Sequence, residues 1–418
     1  MTKSFTTKNR SDLDHYIKLL RSERRIQEDG TIEFIGSRMF DASSVFGTFL
    51  SADRGIDYLR AERIVSKALF SSSLPIEFDL GDLLNECEAL LQIQNKSKRK
   101  KYFVLSSFSS AEGIEFSDLK LDDVEIEFAV SDRDWALHTN TIESQYPELA
   151  KIADHSNARY LASIDAVDEH QAFRAIRRAM DMFRGAINLG TNMRMFRRNS
   201  AVRVSEPVNL FRNDKYLSIH AKGEEALSDP LYFFRDWVQP QSVLVPTQLV
   251  SMQNQLNNRF IGYLNERGTF NEFAKEGLVR YCRAMDTVDW QYSFLELWSV
   301  LEYLCCIQPG QEHRKVVDRA SRLYRDTKEA RACLDHLRRR RNSMVHGNYE
   351  GAASTTEQLL YQLNGYVSQT LWLAIGNKMQ FASTQDWIEF LDLKGSVDQL
   401  KSRIGTLEKA IRYMSGDP

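Results

Sequence analysis

The sequence is short of the residues that most often fix a function class. Its five cysteines, Cys87, Cys282, Cys305, Cys306 and Cys333, are odd in number and lack paired C-x-x-C spacing. That pattern argues for reduced thiols and against both a disulfide framework and a zinc site, and no metal or cofactor is expected. No window approaches the roughly 20 apolar residues of a membrane span. The opening stretch MTKSFTTKNRSDLDHY has no apolar segment of the signal-peptide kind, so a cytoplasmic protein without a membrane partner is expected. An excess of one charge is also missing. The 55 basic against 57 acidic side chains give a formal charge of -2, so any anion binding must come from a local patch and not from a global field. Prolines number 8 and nearly vanish from Thr247 on, which leaves that part free to be helical.

What is present is ordinary for a folded chain. At 418 residues, 43% hydrophobic and 27% charged, two or three domains with a substantial core are expected. In the first half, Val124–Val130 alternates apolar and acidic positions as a half-buried strand does. Similar short runs at Thr31–Ile35, Ile76–Leu80, Tyr102–Phe108 and Arg159–Ile164 predict further strands. The basic run Lys96–Lys101 reads as a solvated hairpin or linker. Asp168–Leu189 predicts a helix with Phe173, Ile176, Met180, Phe183 and Ile187 on one stripe, and Arg174 and Arg178 on its other side. A boundary is expected near Pro240–Pro246. Beyond it the pattern is helical: Gln248–Glu266, Phe270–Asp286, Asp289–Cys306, Val316–Arg325, Lys328–His346, Thr355–Asn377 and Ser396 to about Met414, the last with Val397, Leu400, Ile404, Leu407 and Ile411 on its stripe. The fold class is therefore an α+β N-terminal region joined to an all-α helical bundle at the C-terminal side. The expected divisions are residues 1–150, a middle segment 151–246, and 247–418.

One cluster carries chemistry. In Leu337–Gly347, LRRRRNSMVHG, the residues Arg341, Asn342 and His346 fall at the end of a predicted helix closed by Gly347. Spacing alone proves little, because Arg-x4-His also occurs at Arg10/His15, Arg133/His138 and Arg331/His336. Context separates the fourth match. On a helical wheel Leu334, Leu337, Met344 and Val345 share a side, and Arg341 falls within that stripe while Arg339 and Arg340 point outward. A guanidinium facing a bundle core is costly unless an acid or an anion meets it. Glu302, at the edge of the stripe Phe294, Leu297, Trp298, Leu301 and Cys305, is the expected partner; Glu296 faces the solvated side. His346 shares a face with Asn342 and lies where the helix dipole favours a cationic ring. The bland alternatives are an interhelical Glu302–Arg341 ion pair and an ordinary His346-Gly347 helix end.

With FLELWSVLEYL at Phe294–Leu304 and R-x4-HG at Arg341–Gly347, roughly Phe270 to Met379 resembles a HEPN domain, the higher-eukaryote and prokaryote nucleotide-binding helical bundle, in its Apea-like branch. The resemblance extends to Leu278–Met285 on the preceding helix. It implies a metal-independent endoribonuclease that activates the ribose 2′-hydroxyl and leaves a cyclic phosphate and a 5′-hydroxyl. It further implies a homodimer formed through the helical domain, with two copies of the motif brought together. By resemblance, His346 is the general acid or base, Arg341 holds the scissile phosphate, Asn342 orients substrate or His346, and Glu302 positions Arg341. Arg338, Arg339 and Arg340 become auxiliary phosphate contacts. A role in bacterial defence against phage is implied, with transfer or messenger RNA as substrate, a phage-derived trigger, and the N-terminal half as sensor or substrate selector. Two other readings stay open: a non-catalytic RNA- or nucleotide-binding module, and a toxin–antitoxin-type interaction protein in which the cluster is structural.

Overall fold

Apolar residues at helical spacing carry most of this chain into helices, and a computed structural model shows how they pack. It describes residues 10–35, 38–54, 58–96, 98–110, 113–145, 147, 157–195, 208–222, 227, 230–234, 247–308, 313–346, 353–393, 395 and 397–415. Gly347 and the boundary segment Pro240–Pro246 lie outside the described residues. The chain divides into two units, Met1–Arg99 and Lys100–Pro418. No helix among the described residues is long and apolar enough to cross a membrane.

The first unit is mostly helical. It holds α1 (Arg10–Glu23), the strand pair β1 (Arg24–Ile26) and β2 (Ile32–Phe34), then α2 (Arg38–Arg54), α3 (Tyr58–Leu69) and α4 (Leu80–Lys96). Leu13, Ile17, Leu20, Phe46, Leu50, Ile64, Val65, Phe78 and Leu83 form its core. Arg24 is buried there because its guanidinium donates to the carbonyls of Leu69, Ser71, Leu74 and Pro75 at 2.8–3.2 Å, which ties down the end of α3. The strand expected at Ile76–Leu80 does not form. Asp79 Oδ1 accepts from the Asp82 backbone N–H at 2.8 Å, and Asp82 Oδ2 accepts from that of Asp79 at 2.9 Å. This reciprocal cap starts α4 where alternating hydrophobicity suggested a strand.

The second unit joins a sheet to helices. Its elements are β3 (Lys100–Ser109), β4 (Leu119–Leu121), β5 (Val124–Glu127), α5 (Asp132–Gln145), β6 (Asn157–Ala166), α6 (Glu169–Met195), β7 (Tyr216–Ala221) and β8 (Leu231–Phe233). There follow α7 (Thr247–Leu264), α8 (Thr269–Asp286), α9 (Trp290–Leu304), α10 (Arg314–Ser321), α11 (Thr327–Val345), α12 (Ala353–Gly376), α13 (Thr384–Asp392) and α14 (Val397–Ser415). The sheet order is β4-β5-β6-β3-β7-β8, antiparallel throughout. Strand β3 pairs with β6 from Lys100↔Ala166 to Ser109↔Asn157 and with β7 from Tyr102↔Ala221 to Leu105↔Ser218.

Helix α6 is why the expected boundaries at 150 and 246 do not divide this unit. The sheet draws strands from both sides of residue 150, and α6 packs on the sheet as well as on α7, α8 and α12. Every residue from Asp181 to Gly190 is buried, so the amphipathic reading holds only for the apolar face. Phe183 meets Phe108, Phe116 and Phe128 at the sheet. The opposite face carries Asp181, Arg184, Asn188 and Asn192 at helical spacing, and it is buried too. Those polar groups are hydrogen-bonded, as burial demands: Arg184 to Asp181 and Asp286, Asn188 to the Phe211 carbonyl, and Asn192 to the Tyr281 hydroxyl. The helices also approach closely. A Cβ at Gly185 would meet Leu278 at 2.9 Å, and one at Gly277 would meet Leu304 at 2.8 Å. Helices α8, α9 and α12 form the core on which the candidate site stands, with Leu278, Phe294, Trp298, Leu301, Leu363 and Leu371 fully buried.

Candidate active site

The site begins at the end of α9. Asp289 caps this helix by accepting from the backbone N–H groups of Gln291 and Tyr292, and Phe294, Leu297, Trp298, Leu301 and Leu304 turn its apolar face inward. The chain then reverses at Cys306, whose φ of 51 is left-handed. Arg319 of α10 fixes that turn, donating to the Cys305 and Cys306 carbonyls at 2.6 and 3.0 Å while paired with Asp392. Glu302 therefore stands in the last turn of a rigid helix, at the edge of the core. Its Oε1 accepts from Trp298 Nε1 at 2.7 Å. Glu296, on the other side, is exposed and accepts from the Thr287 hydroxyl.

Glu302 does not pair with Arg341. The group that meets its carboxylate is His313, just before α10, with Nδ1 2.7 Å from Glu302 Oε1. Since a carboxylate oxygen can only accept, Nδ1 donates to it, and the other ring nitrogen, Nε2, faces Arg341 Nη1 at 3.4 Å. Glu302, His313 and Arg341 thus form a line in which an imidazole stands between carboxylate and guanidinium. The expected direct contact is replaced because the ring fills the gap. His313 leaves the backbone N–H groups of α10 uncapped, so its ring is free to face α9. The side chains of His313 and Glu302 keep 40% and 21% exposure, so solvent and a ligand can reach them.

Helix α11 supplies the rest. Asp326 caps its start by accepting from Lys328 and Glu329, and Leu334, Leu337 and Met344 anchor it in the core. Val345, expected on the same stripe, is 50% exposed because the helix ends there. The four consecutive arginines divide. Arg338 and Arg339 both donate to Asp335, at 2.9 and 3.0 Å. Burial alone would raise the Asp335 carboxyl, but hydrogen bonds from these two arginines outweigh it and hold the group below its ordinary value. Arg340 is exposed, and Arg341 is half-buried. Among the described residues neither of them forms an ion pair with a carboxylate; beyond His313, Arg341 reaches only Asn342 Oδ1 at 3.5 Å. His346 is the exposed C-cap, its backbone N–H donating to the Asn342 carbonyl at 3.1 Å. Five residues of helix separate it from Arg341 by about 140° around the axis, and no hydrogen bond joins the two side chains.

The structure therefore brings together Glu302, Arg341 and Asn342 around a residue that sequence reasoning missed. His313 belongs to no recurring spacing, and no signal in the sequence singles it out. His346 stands at the same helix end but on another side. Chemically, the cluster offers an open guanidinium for an anion and an imidazole, oriented by a carboxylate, for proton transfer. Among the described residues, no group of three or more His, Cys, Asp or Glu side chains is arranged to hold a metal ion. No family model matches this chain, and no curated protein or solved structure does either.

Proposed function

We propose that this chain is a metal-independent endoribonuclease of the HEPN type, working as a homodimer through its helical region. The observation that carries the proposal is the line Glu302–His313–Arg341, which ends on a guanidinium without a carboxylate partner. Arg341 takes a non-bridging oxygen of the scissile phosphodiester and stabilises the charge that grows on it in the transition state. An imidazole removes the ribose 2′-hydroxyl proton, the 2′-oxygen attacks phosphorus, and the bond to the 5′-oxygen breaks. The other ring, entering as imidazolium, gives its proton to that oxygen, leaving a 2′,3′-cyclic phosphate and a 5′-hydroxyl. His313 and His346 are the two imidazoles, Glu302 orients His313, and Asn342 orients the phosphate. Arg340, with Arg338 and Arg339 behind it, extends the phosphate contacts. The wider reading is a bacterial anti-phage effector, with the N-terminal region as its sensor or substrate selector.

The test incubates wild type, His346→Ala and His313→Ala with total cellular RNA in EDTA and maps the product ends. Cyclic-phosphate and 5′-hydroxyl ends from wild type, with a loss of roughly 100- to 10,000-fold in either variant, are the expected outcome. Undiminished cleavage by His346→Ala contradicts the assignment. The separation of His346 from Arg341 within one chain favours one second reading, an RNA-binding module that does not cut. That reading predicts salt-sensitive RNA binding weakened by Arg341→Ala, with no new ends at any enzyme concentration.

A further inference from the structure

Helix α14 stands apart from the other helices of its unit. It runs for 19 residues, Val397–Ser415, and every residue from Lys401 to Ser415 except Gly405 is exposed. Yet it is strongly patterned. Ile404, Leu407, Ile411 and Met414 are 56%, 59%, 65% and 85% exposed, and with Leu400 they recur at alternating steps of four and three. A helix that packs on a globular core carries a wider apolar face, as α9 does with Phe294, Leu297, Trp298, Leu301 and Leu304. The stripe of α14 is the narrow seam of a coiled coil, with Ile404 and Ile411 at the a positions and Leu400, Leu407 and Met414 at d. Its 3.5-residue period is the one that winds two helices around each other with a left-handed twist.

We propose that α14 is a zipper that pairs with α14 of a second copy of this chain, in parallel. Two features choose that occupant. Isoleucine at a with leucine at d favours two parallel strands over trimers or tetramers. The flanking positions fit a second copy: Arg403 at g of one helix faces Glu408 at e of the other, and two-fold symmetry makes the pair twice. Pairing covers apolar side chains that a single chain leaves in water. The inference does not depend on the chemistry proposed for Arg341.

The experiment is sedimentation equilibrium of the full chain, wild type against the double variant Ile404→Glu with Leu407→Glu. Wild type is expected as a dimer at micromolar concentration and the double variant as a monomer. Because both positions are exposed, the main unfolding transition stays in place. The direction of the helices is read from Met414→Cys in a Cys333→Ser background: parallel helices put the two thiols side by side and crosslink on mild oxidation, whereas antiparallel helices hold them about 20 Å apart. Arg403→Glu sets like charges across the seam and weakens the dimer; adding Glu408→Arg restores it. A monomeric wild type, a double variant that remains dimeric, or a dimer in which Met414→Cys fails to crosslink overturns the proposal.

Discussion

Arg184 on α6 and Arg341 on α11 are both arginines of the helical unit, and their surroundings differ in one respect. Arg184, 2% exposed, is held between Asp181 at 2.8 Å and Asp286 at 2.9 Å, with the Phe211 carbonyl at 3.3 Å. Burial, which would lower its pKa, is outweighed by the carboxylates of Asp286 and Asp181, so the group stays charged. Arg341, half-buried, has the His313 imidazole at 3.4 Å and its own neighbour's amide at 3.5 Å. Both sit where a lone cation is costly. The fold supplies counter-charge to the first and withholds it from the second, which has only the two long contacts to His313 and Asn342. A cation kept half out of water without a carboxylate is what an incoming phosphate needs. On the proposed function, the difference separates an arginine that holds the structure together from one that is kept for a phosphate.

The largest effect should come from breaking the saturated side. Arg184→Ala strips Asp181, itself 2% exposed, of its buried partner and leaves it only the half-exposed Arg283, 2.7 Å away. A loss of about 3 kcal/mol of stability, the low end for a broken buried pair, is expected in chemical denaturation. A loss below about 1 kcal/mol would erase the contrast with Arg341, whose removal strands no carboxylate.

The histidines extend the comparison. His138 is buried beside Ser218, with Nδ1 2.8 Å from its hydroxyl, while His313 is partly open at the site. Burial, with a smaller contribution from His220, pushes the His138 imidazole down to about 3. The folded state therefore keeps this ring neutral where an unfolded chain, with a pKa near 6.5, would protonate it. Its stability is complete above about pH 6.5 and falls as the pH drops towards 3, with a slope of up to about 1.4 kcal/mol per pH unit. Denaturation between pH 7 and 5, before the carboxylates titrate, should show this slope in wild type and a flatter one in His138→Gln. Equal slopes would place the acid sensitivity elsewhere.

The smallest expected effect concerns the neighbours of Arg341. Arg338 and Arg339 are already matched by Asp335, whereas Arg340 is open. Arg340→Ala should reduce the slope of log affinity for RNA against log salt by about one, with little change in stability. The same substitution at Arg339 should change the slope less. A larger change at Arg339 than at Arg340 would reverse the assignment.

How far the sequence could be read follows from the same physics. Helices α6 to α12 and α14 are legible because their apolar residues recur at helical spacing, and the observed bounds fall within four residues of the expected ones, except that α6 runs on from the expected Leu189 to Met195. Strands β3 and β6 are legible as the short runs Tyr102–Phe108 and Arg159–Ile164, which the pairing extends at both ends. The helices of the first unit are not: α2, with Ser43, Ser44, Gly47 and Thr48 scattered among apolar residues, has no sustained stripe. Strand β7 is hidden because Tyr216–Ala221 carries Ser218 and His220, whose polarity is matched only in three dimensions, Ser218 meeting both His138 and His220. Helix α13 announces itself by the capping box Ser383–Asp386, a signal present in the sequence and passed over. At the site, the position of Arg341 within an apolar stripe singled it out among four arginines, but its partner could not be read. His313 reaches Glu302 across the turn from α9 into α10, and only the folded path of the chain brings the two together.

The measurement that bears most directly on this account is thermal unfolding of wild type and Arg341→Ala, each with and without an RNA oligonucleotide made uncleavable by 2′-O-methyl sugars. The account predicts that the two proteins unfold at nearly the same temperature alone, and that the oligonucleotide raises it for wild type only, since a ligand stabilises the state that binds it. An Arg341→Ala protein that unfolds far below wild type without RNA, or that gains as much from the oligonucleotide, would contradict it and return Arg341 to the class of Arg184.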